Sequence, residues 1–127
     1  IHGKDSVYAA SLFAEMISVV GKSASEIMDE LEREYGKFVM VEDNLRFAPE
    51  YKSVINKLVF EDKKLPDFAV NVDHVNYEDG CKVYFEDGSF VICRFSGTEP
   101  LLRIFAESNS RSAASEYISD FREFLKI

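Results

Sequence analysis

The hydrophobic residues of this 127-residue chain recur at helical spacing up to Gly36 and at mixed spacing after it. Residues 5–20 carry apolar side chains around most of a helix, with Asp5 as a suitable N-cap and Gly21 as a suitable terminator. Residues 23–36 carry only a narrow apolar stripe. The pattern therefore predicts two helices, and we expect the first to be buried on more than one side.

Beyond Gly36 the pattern predicts a strand over residues 37–47 and then a helix, because Pro49 suits a first helical turn. The predicted inner face of this helix comprises Tyr51, Val54, Ile55, Leu58 and Val59. A loop over residues 63–67 ends the helix, and alternation from Phe68 predicts the next strand over residues 68–73.

The apolar pattern of the remaining residues predicts three more strands and a final helix. The strands cover residues 81–86, 89–95 and 101–106. Asn109 or Ser110 is expected to cap the helix, whose apolar face comprises Ala114, Tyr117, Ile118, Phe121, Phe124 and Leu125. Strands joined by short turns are antiparallel, so we expect an α+β two-layer sandwich of four to five strands with two helices on one face.

Asp87 and Gly88 predict a two-residue turn between the strands that contain the two cysteines. That register would place Cys81 opposite Arg94, so that the thiols of Cys81 and Cys93 face opposite sides of the sheet. We therefore expect no disulfide, because disulfide geometry requires facing Cβ atoms.

Composition narrows the possible functions. Lys and Arg number 15 against 23 Asp and Glu, which gives a net charge of −8. That charge argues against nucleic acid or a membrane surface as partner, because both require clustered cations. No Cys and His cluster has the spacing of a metal site, and no long apolar run predicts a membrane span. We expect a cytoplasmic protein, and the start at Ile1 without Met indicates a piece of a longer chain.

Residues 94–103 form a short polar loop between two apolar strands and are the main candidate for chemistry. Arg94 offers a permanent planar cation, Ser96 and Thr98 offer hydroxyls, and Gly97 allows backbone N–H groups to form an anion nest. Pro100 stiffens the exit of the loop. The same residue types also favour an ordinary tight turn, so composition alone leaves both interpretations open.

The string that runs from Arg94 through Ser96-Gly97-Thr98-Glu99-Pro100 to Arg103 resembles the phosphate-binding loop in the C-terminal domain of the α-D-phosphohexomutases, the phosphoglucomutase/phosphomannomutase family. Residues 79–83, 87–89 and 102–107 resemble the same domain. Residues 5–15, DSVYAASLFAE, are similar to the last helix of the family's third domain.

This resemblance implies a fold like that of the TATA-box-binding protein and a division of the chain into three parts. Residues 1–21 would be the tail helix of the third domain, residues 22–36 a connecting helix and hinge, and residues 37–127 the C-terminal phosphate-binding domain. It also implies that Arg94, Ser96, Gly97 and Thr98 hold the substrate phosphate, while Glu99, Pro100 and Arg103 support the loop. For Arg103 we favour bracing of the loop over contact with phosphate.

The implied function is phosphate transfer between positions 1 and 6 of a hexose phosphate by an isomerase. This chain would be one part of that enzyme and would not be catalytic alone. The other domains would be its partners, and Mg²⁺ would bind in the second domain, with no cofactor or metal here. A protein-binding module that uses the open sheet face is the alternative. We expect His2 and His74 to be surface or strand histidines, and we do not expect Ser96 to be a nucleophile, because no Ser/His/Asp arrangement accompanies it.

Overall fold

The computed structural model describes residues 3–97 and 99–126. The chain divides into two compact units, Ile1–Lys37 and Phe38–Ile127. Within the part of the chain that is described, no helix has both the length and the apolar character to cross a membrane.

The first unit contains helices α1 (Ser6–Val20) and α2 (Ala24–Tyr35), as predicted. Asp5 caps α1 by accepting a hydrogen bond from a backbone N–H, and Ser23 and Glu26 form a capping box at the start of α2. No residue of either helix is buried, so the described chain does not supply the burial predicted for α1. Assignment of this unit to a preceding domain and a connector stays a prediction.

The second unit contains a five-stranded antiparallel sheet, and the strands lie in the order β1-β5-β4-β3-β2. The strands are β1 (Val39–Arg46), β2 (Val72–Asn76), β3 (Cys81–Phe85), β4 (Phe90–Phe95) and β5 (Leu101–Ser108). The helical segments are α3 (Tyr51–Ile55), a π-helix (Asn56–Glu61) and α4 (Arg111–Leu125), which Ser110 caps. Sheet and helices share one hydrophobic core, which confirms the predicted α+β class.

The helix predicted after Pro49 forms only in part. After five residues α3 passes directly into the π-helix. Tyr51 and Val54, which we predicted to face inward, are 48% and 58% exposed, whereas Ile55 and Val59 are buried. The prediction of one apolar face is therefore wrong at its first turn, since burial begins only at Ile55.

The strand predicted to start at Phe68 starts four residues later, at Val72. Instead of extending a strand, Phe68 places its ring edge-on against three other aromatic rings of the core. The ring centroids lie 5.0 Å from Phe85, 5.8 Å from Phe121 and 6.1 Å from Tyr117. Packing of this ring decides the path of the chain, which an alternating pattern alone could not show.

The hairpin between β3 and β4 has a different register from the predicted one. Gly88 donates its N–H to the Phe85 carbonyl at 3.0 Å, and Phe85 donates to the Ser89 carbonyl at 3.0 Å. The connection therefore has three residues instead of two, and Cys81 lies directly opposite Cys93. The predicted thiol orientation is wrong: both cysteines are fully buried on the same face, and both are free thiols.

Candidate functional site

The segment between β4 and β5 is held by backbone hydrogen bonds at its base. Ser96 donates its N–H to the Leu101 carbonyl at 2.9 Å, and Leu101 donates to the Glu99 carbonyl at 2.8 Å. Phe47, just after β1, donates to the Pro100 carbonyl at 3.4 Å. Glu99 and Pro100, two of the three residues that we expected to support the loop, thus accept backbone hydrogen bonds through their carbonyl oxygens, while their supporting role stays a prediction.

A cavity of about 390 Å³ opens beside this loop. Its lining residues are Asp79, Arg94, Phe95, Ser96, Gly97 and Arg103. The structure therefore brings together four of the predicted site residues, while the predicted site residue Thr98 lies outside the described residues. We expected Gly97 to let backbone N–H groups form an anion nest, an arrangement that alternates right- and left-handed residues. Gly97 does not adopt a left-handed φ, so it does not supply the left-handed residue of such a nest. A Cβ added there would meet no atom within 4 Å, which leaves space for a ligand.

Arg94 and Arg103 are direct cross-strand partners in this cavity. Like charges placed directly opposite each other destabilise a sheet. Arg94 Nη1 donates to Asp79 Oδ2 at 2.8 Å, which compensates one of the two cations. Arg103 Nε is buried and has no hydrogen-bond partner among the described residues. With two arginines and one carboxylate in its lining, this cavity carries a net positive charge, although the overall charge of the chain is −8.

The turn before β3 positions the carboxylate that pairs with Arg94. Gly80 has a φ of +95°, which favours glycine. A Cβ added there would lie 2.5 Å from the Cys93 carbonyl oxygen and 2.7 Å from Arg94 Cβ. Only a glycine lets the turn approach β4 this closely, and so places Asp79 beside the guanidinium. The pairing of β3 with β4 shows what this turn contacts.

A second cavity, of about 220 Å³, lies next to the first and shares Phe95, Ser96 and Gly97 with it. Its other lining residues are Phe47, Pro49, Lys52, Glu99 and Pro100. The Phe95 ring lies 5.8 Å from the Phe47 ring and 5.4 Å from the Phe60 ring, which fixes the start of the loop. Sequence reasoning missed Lys52, since no local pattern predicts which loop a side chain 44 residues away will reach.

The remaining candidates lie away from the loop. His74 is in β2, where its ring stacks on Tyr84 at 4.3 Å and its Nδ1 lies 2.7 Å from Asp73 Oδ2. His2 lies outside the described residues. Among the residues described, no group of three or more His, Cys, Asp or Glu side chains is arranged to hold a metal ion.

The family model described as "Phosphoglucomutase/phosphomannomutase, C-terminal domain" matches residues 39–124. A curated relative from Thermococcus kodakarensis, named phosphoglucomutase/phosphomannomutase, is 32% identical over 117 residues, which are 91% of this chain and 23% of the relative. A probable phosphoglucosamine mutase from Methanothermobacter thermautotrophicus is 30% identical over 87% of this chain and 23% of its own length. The chain thus spans about a quarter of the length of these relatives.

A solved structure supports the same similarity. It is the crystal structure of a phosphoglucomutase/phosphomannomutase family protein from Burkholderia thailandensis, which is 27% identical to this chain. The match has a TM-score of 0.53 and covers 76% of this chain and 19% of that structure.

Proposed function

The chain belongs to the phosphoglucomutase/phosphomannomutase family, whose C-terminal domain its residues 39–124 match, and from that premise we propose that it binds the substrate phosphate of a phosphohexomutase. The whole protein would transfer phosphate between positions 1 and 6 of a hexose phosphate. The transfer chemistry, and the Mg²⁺ that the resemblance implies, would belong to other domains. This chain alone would bind sugar phosphates without converting them.

The observation that carries this proposal is the pair of facing arginines in one cavity. A sugar phosphate carries up to two negative charges and oxygens that accept several hydrogen bonds at once. The forked guanidinium of Arg94 matches that geometry. Arg103 lines the same cavity and its Nε has no partner among the described residues, so we now favour a charge contact with phosphate over the bracing role expected from the sequence. A bound phosphate would also relieve the repulsion between the two cations, so binding and fold stability would support each other.

The contribution to catalysis would come from positioning and charge. Phosphoryl transfer depends mainly on the alignment of reactants and on stabilisation of negative charge. A domain that holds the phosphate not being transferred would fix the distant end of the substrate. Thr98 would add a hydroxyl to the contacts of Ser96 and Gly97, while Glu99 and Pro100 would hold the loop in shape. The predicted hinge near Gly36 would let residues 37–127 close over the substrate.

The alternative, a protein-binding module that uses the outward face of the sheet, has less support. Tyr84 and Phe90 lie on that face but are only half-exposed. Lys82 covers both rings, with its Nζ 4.6 Å from the centroid of Tyr84 and 3.8 Å from that of Phe90. These rings therefore do not form the bare apolar patch that marks many interfaces.

Arg94→Ala in the whole protein that contains this chain tests the proposal. Loss of a charged hydrogen bond to phosphate is expected to raise KM and to lower kcat/KM. The fall in kcat/KM corresponds to a loss of about 1.5–3 kcal/mol of transition-state stabilisation. Arg122→Ala is a matched control, because Arg122 Nε donates to Asp43 at 3.0 Å and lines neither cavity at the loop. Unchanged kinetics in Arg94→Ala, or an equal loss in both variants, would refute a specific phosphate contact.

A further inference from the structure

Lys52 places a cation beside the loop that the arginine cavity does not include. It lies in α3 and lines the second cavity together with Ser96 and Gly97. It makes no salt bridge with any of the described carboxylates. Its ammonium group is therefore not paired with a described carboxylate, although Glu99 lines the same cavity.

Lys52 is an exposed residue whose ammonium group contacts an aromatic ring. Lys52 Nζ lies 5.4 Å from the centroid of the Phe95 ring, a distance typical of a cation–π contact. The rings of Phe47 and Phe60 hold the Phe95 ring in turn. Because Phe95 immediately precedes Ser96, this contact brings the ammonium group to the start of the loop.

The two sets of cations approach the loop from opposite sides. Arg94 and Phe95 are consecutive residues of β4, so their side chains leave opposite faces of the sheet. Arg94 and Arg103 lie on the outward face, and Lys52 lies over Phe95 on the other. An anion at Ser96 and Gly97 would therefore be within reach of cations from both sides.

We propose that Lys52 is a further binding residue for the phosphoryl group held at the loop, and that it favours the dianion over the monoanion. This inference rests on the proposed function, since it assumes that the loop holds phosphate. An ammonium group has three donors on a compact charge, so Lys52 can donate to a phosphate oxygen while it keeps its contact with the ring. Its attraction doubles when the phosphate loses its second proton, which happens at a pKa of about 6 in a phosphate monoester and at a higher pH in inorganic phosphate.

The test is a titration of the isotope-labelled full chain with inorganic phosphate, followed through the amide signals of Ser96 and Gly97. Lys52→Met is expected to weaken binding about three- to tenfold above the second pKa of phosphate and less below it. Lys52→Arg is expected to restore most of the affinity. Lys63→Met is the matched control, because Lys63 Nζ lies 5.1 Å from the centroid of the Tyr77 ring but lines neither cavity at the loop.

Arg94→Ala in the same titration separates this inference from the proposed function. If Arg94→Ala weakens binding while Lys52→Met stays within about twofold of the parent chain at both pH values, Lys52 is not a binding residue and the phosphate site stands. An equal loss in Lys52→Met and Lys63→Met would also overturn the inference, since net charge alone would explain it. If the parent chain does not bind phosphate at all, both proposals fail.

Discussion

Gly80→Ala disturbs the contact between the turn before β3 and the strand that carries Arg94. Alanine at a φ of +95° is strained, and its Cβ would lie 2.5 Å from the Cys93 carbonyl oxygen. Real Cβ atoms do not approach a backbone oxygen this closely, so either the turn or β4 must move. Movement of either one would separate Asp79 from the Arg94 guanidinium, which now lie 2.8 Å apart.

Gly80→Ala is expected to lower the free energy of unfolding through backbone strain and through a steric clash, and a substitution at a second glycine separates these two contributions. A non-glycine residue at positive φ costs about 1–2 kcal/mol, and forcing an extra carbon into a packed contact costs a further 1–3 kcal/mol or so. Gly88 has a φ of +84°, but a Cβ added there would meet no atom within 4 Å. Gly88→Ala therefore carries the strain alone. We expect Gly80→Ala to lower the free energy of unfolding by at least about 1 kcal/mol more than Gly88→Ala.

Denaturant unfolding followed by circular dichroism measures this difference, and phosphate titration measures its consequence at the loop. Gly80→Ala is expected to weaken phosphate binding, because it displaces Arg94, whereas Gly88→Ala is expected to leave binding unchanged. Equal destabilisation by the two substitutions would show that the close approach of Gly80 to β4 has no energetic weight. Normal phosphate affinity in Gly80→Ala would refute the role of this turn in positioning Arg94.

Two further predictions concern groups outside the loop. Partial burial, with the nearby carboxylates of Glu116 and Glu123, raises the pKa of Asp120. Because the pKa of Asp120 is higher in the folded than in the unfolded chain, ionisation of this carboxyl costs the folded state free energy. The free energy of unfolding is therefore highest below the unfolded-state pKa of Asp120 and falls as pH rises through the folded-state pKa. Asp120→Asn should therefore raise the free energy of unfolding by roughly 0.5 kcal/mol at neutral pH and leave it unchanged in acid. Thermal melts at the two pH values measure this difference, and an equal gain at both would contradict the prediction. The hydrogen bond with Cys81, together with burial, raises the pKa of the Cys93 thiol. Because Cys93 is also fully buried, thiol reagents should modify this cysteine only as fast as the fold opens, and rapid labelling of Cys93 without denaturant would contradict this.

The fold was predictable wherever local chemistry decides the structure. Ser23 and Glu26 begin α2 as a capping box, and Ser110 caps α4, because each cap depends on residues within one helical turn. The π-helix was not predictable from apolar spacing. Its last turn is closed by a backbone hydrogen bond of 2.8 Å from Asp62 N–H to the Lys57 carbonyl, and a side-chain hydrogen bond of 2.7 Å from Asn56 Nδ2 to Glu61 Oε1 spans it.

The hairpin register depends on a contact that is distant in sequence. An Asp-Gly pair is compatible with both a two-residue and a three-residue connection. Here the buried Ser89 hydroxyl lies 2.8 Å from the Tyr117 hydroxyl on α4, which holds Ser89 at the end of the turn. The two hydroxyls are 28 residues apart, so no local pattern could show that the register brings Cys81 and Cys93 together.

The candidate site divides in the same way. The string from Arg94 to Arg103 is continuous in sequence and was recognised as a whole, although its phosphate-binding role stays a prediction. Asp79 and Lys52 come from other segments and reach the loop only through strand pairing and aromatic packing. Residues of this kind become visible only when the fold is known.

If the segment between β4 and β5 captures a sugar phosphate, the amide spectrum of the isotope-labelled chain will respond at this loop. On addition of glucose 1-phosphate, we expect saturable shifts centred on Ser96 and Gly97, with Arg94→Ala abolishing most of them. Amides at the loop that stay in place while residues of the outward sheet face respond, or shifts that persist unchanged in Arg94→Ala, would contradict it.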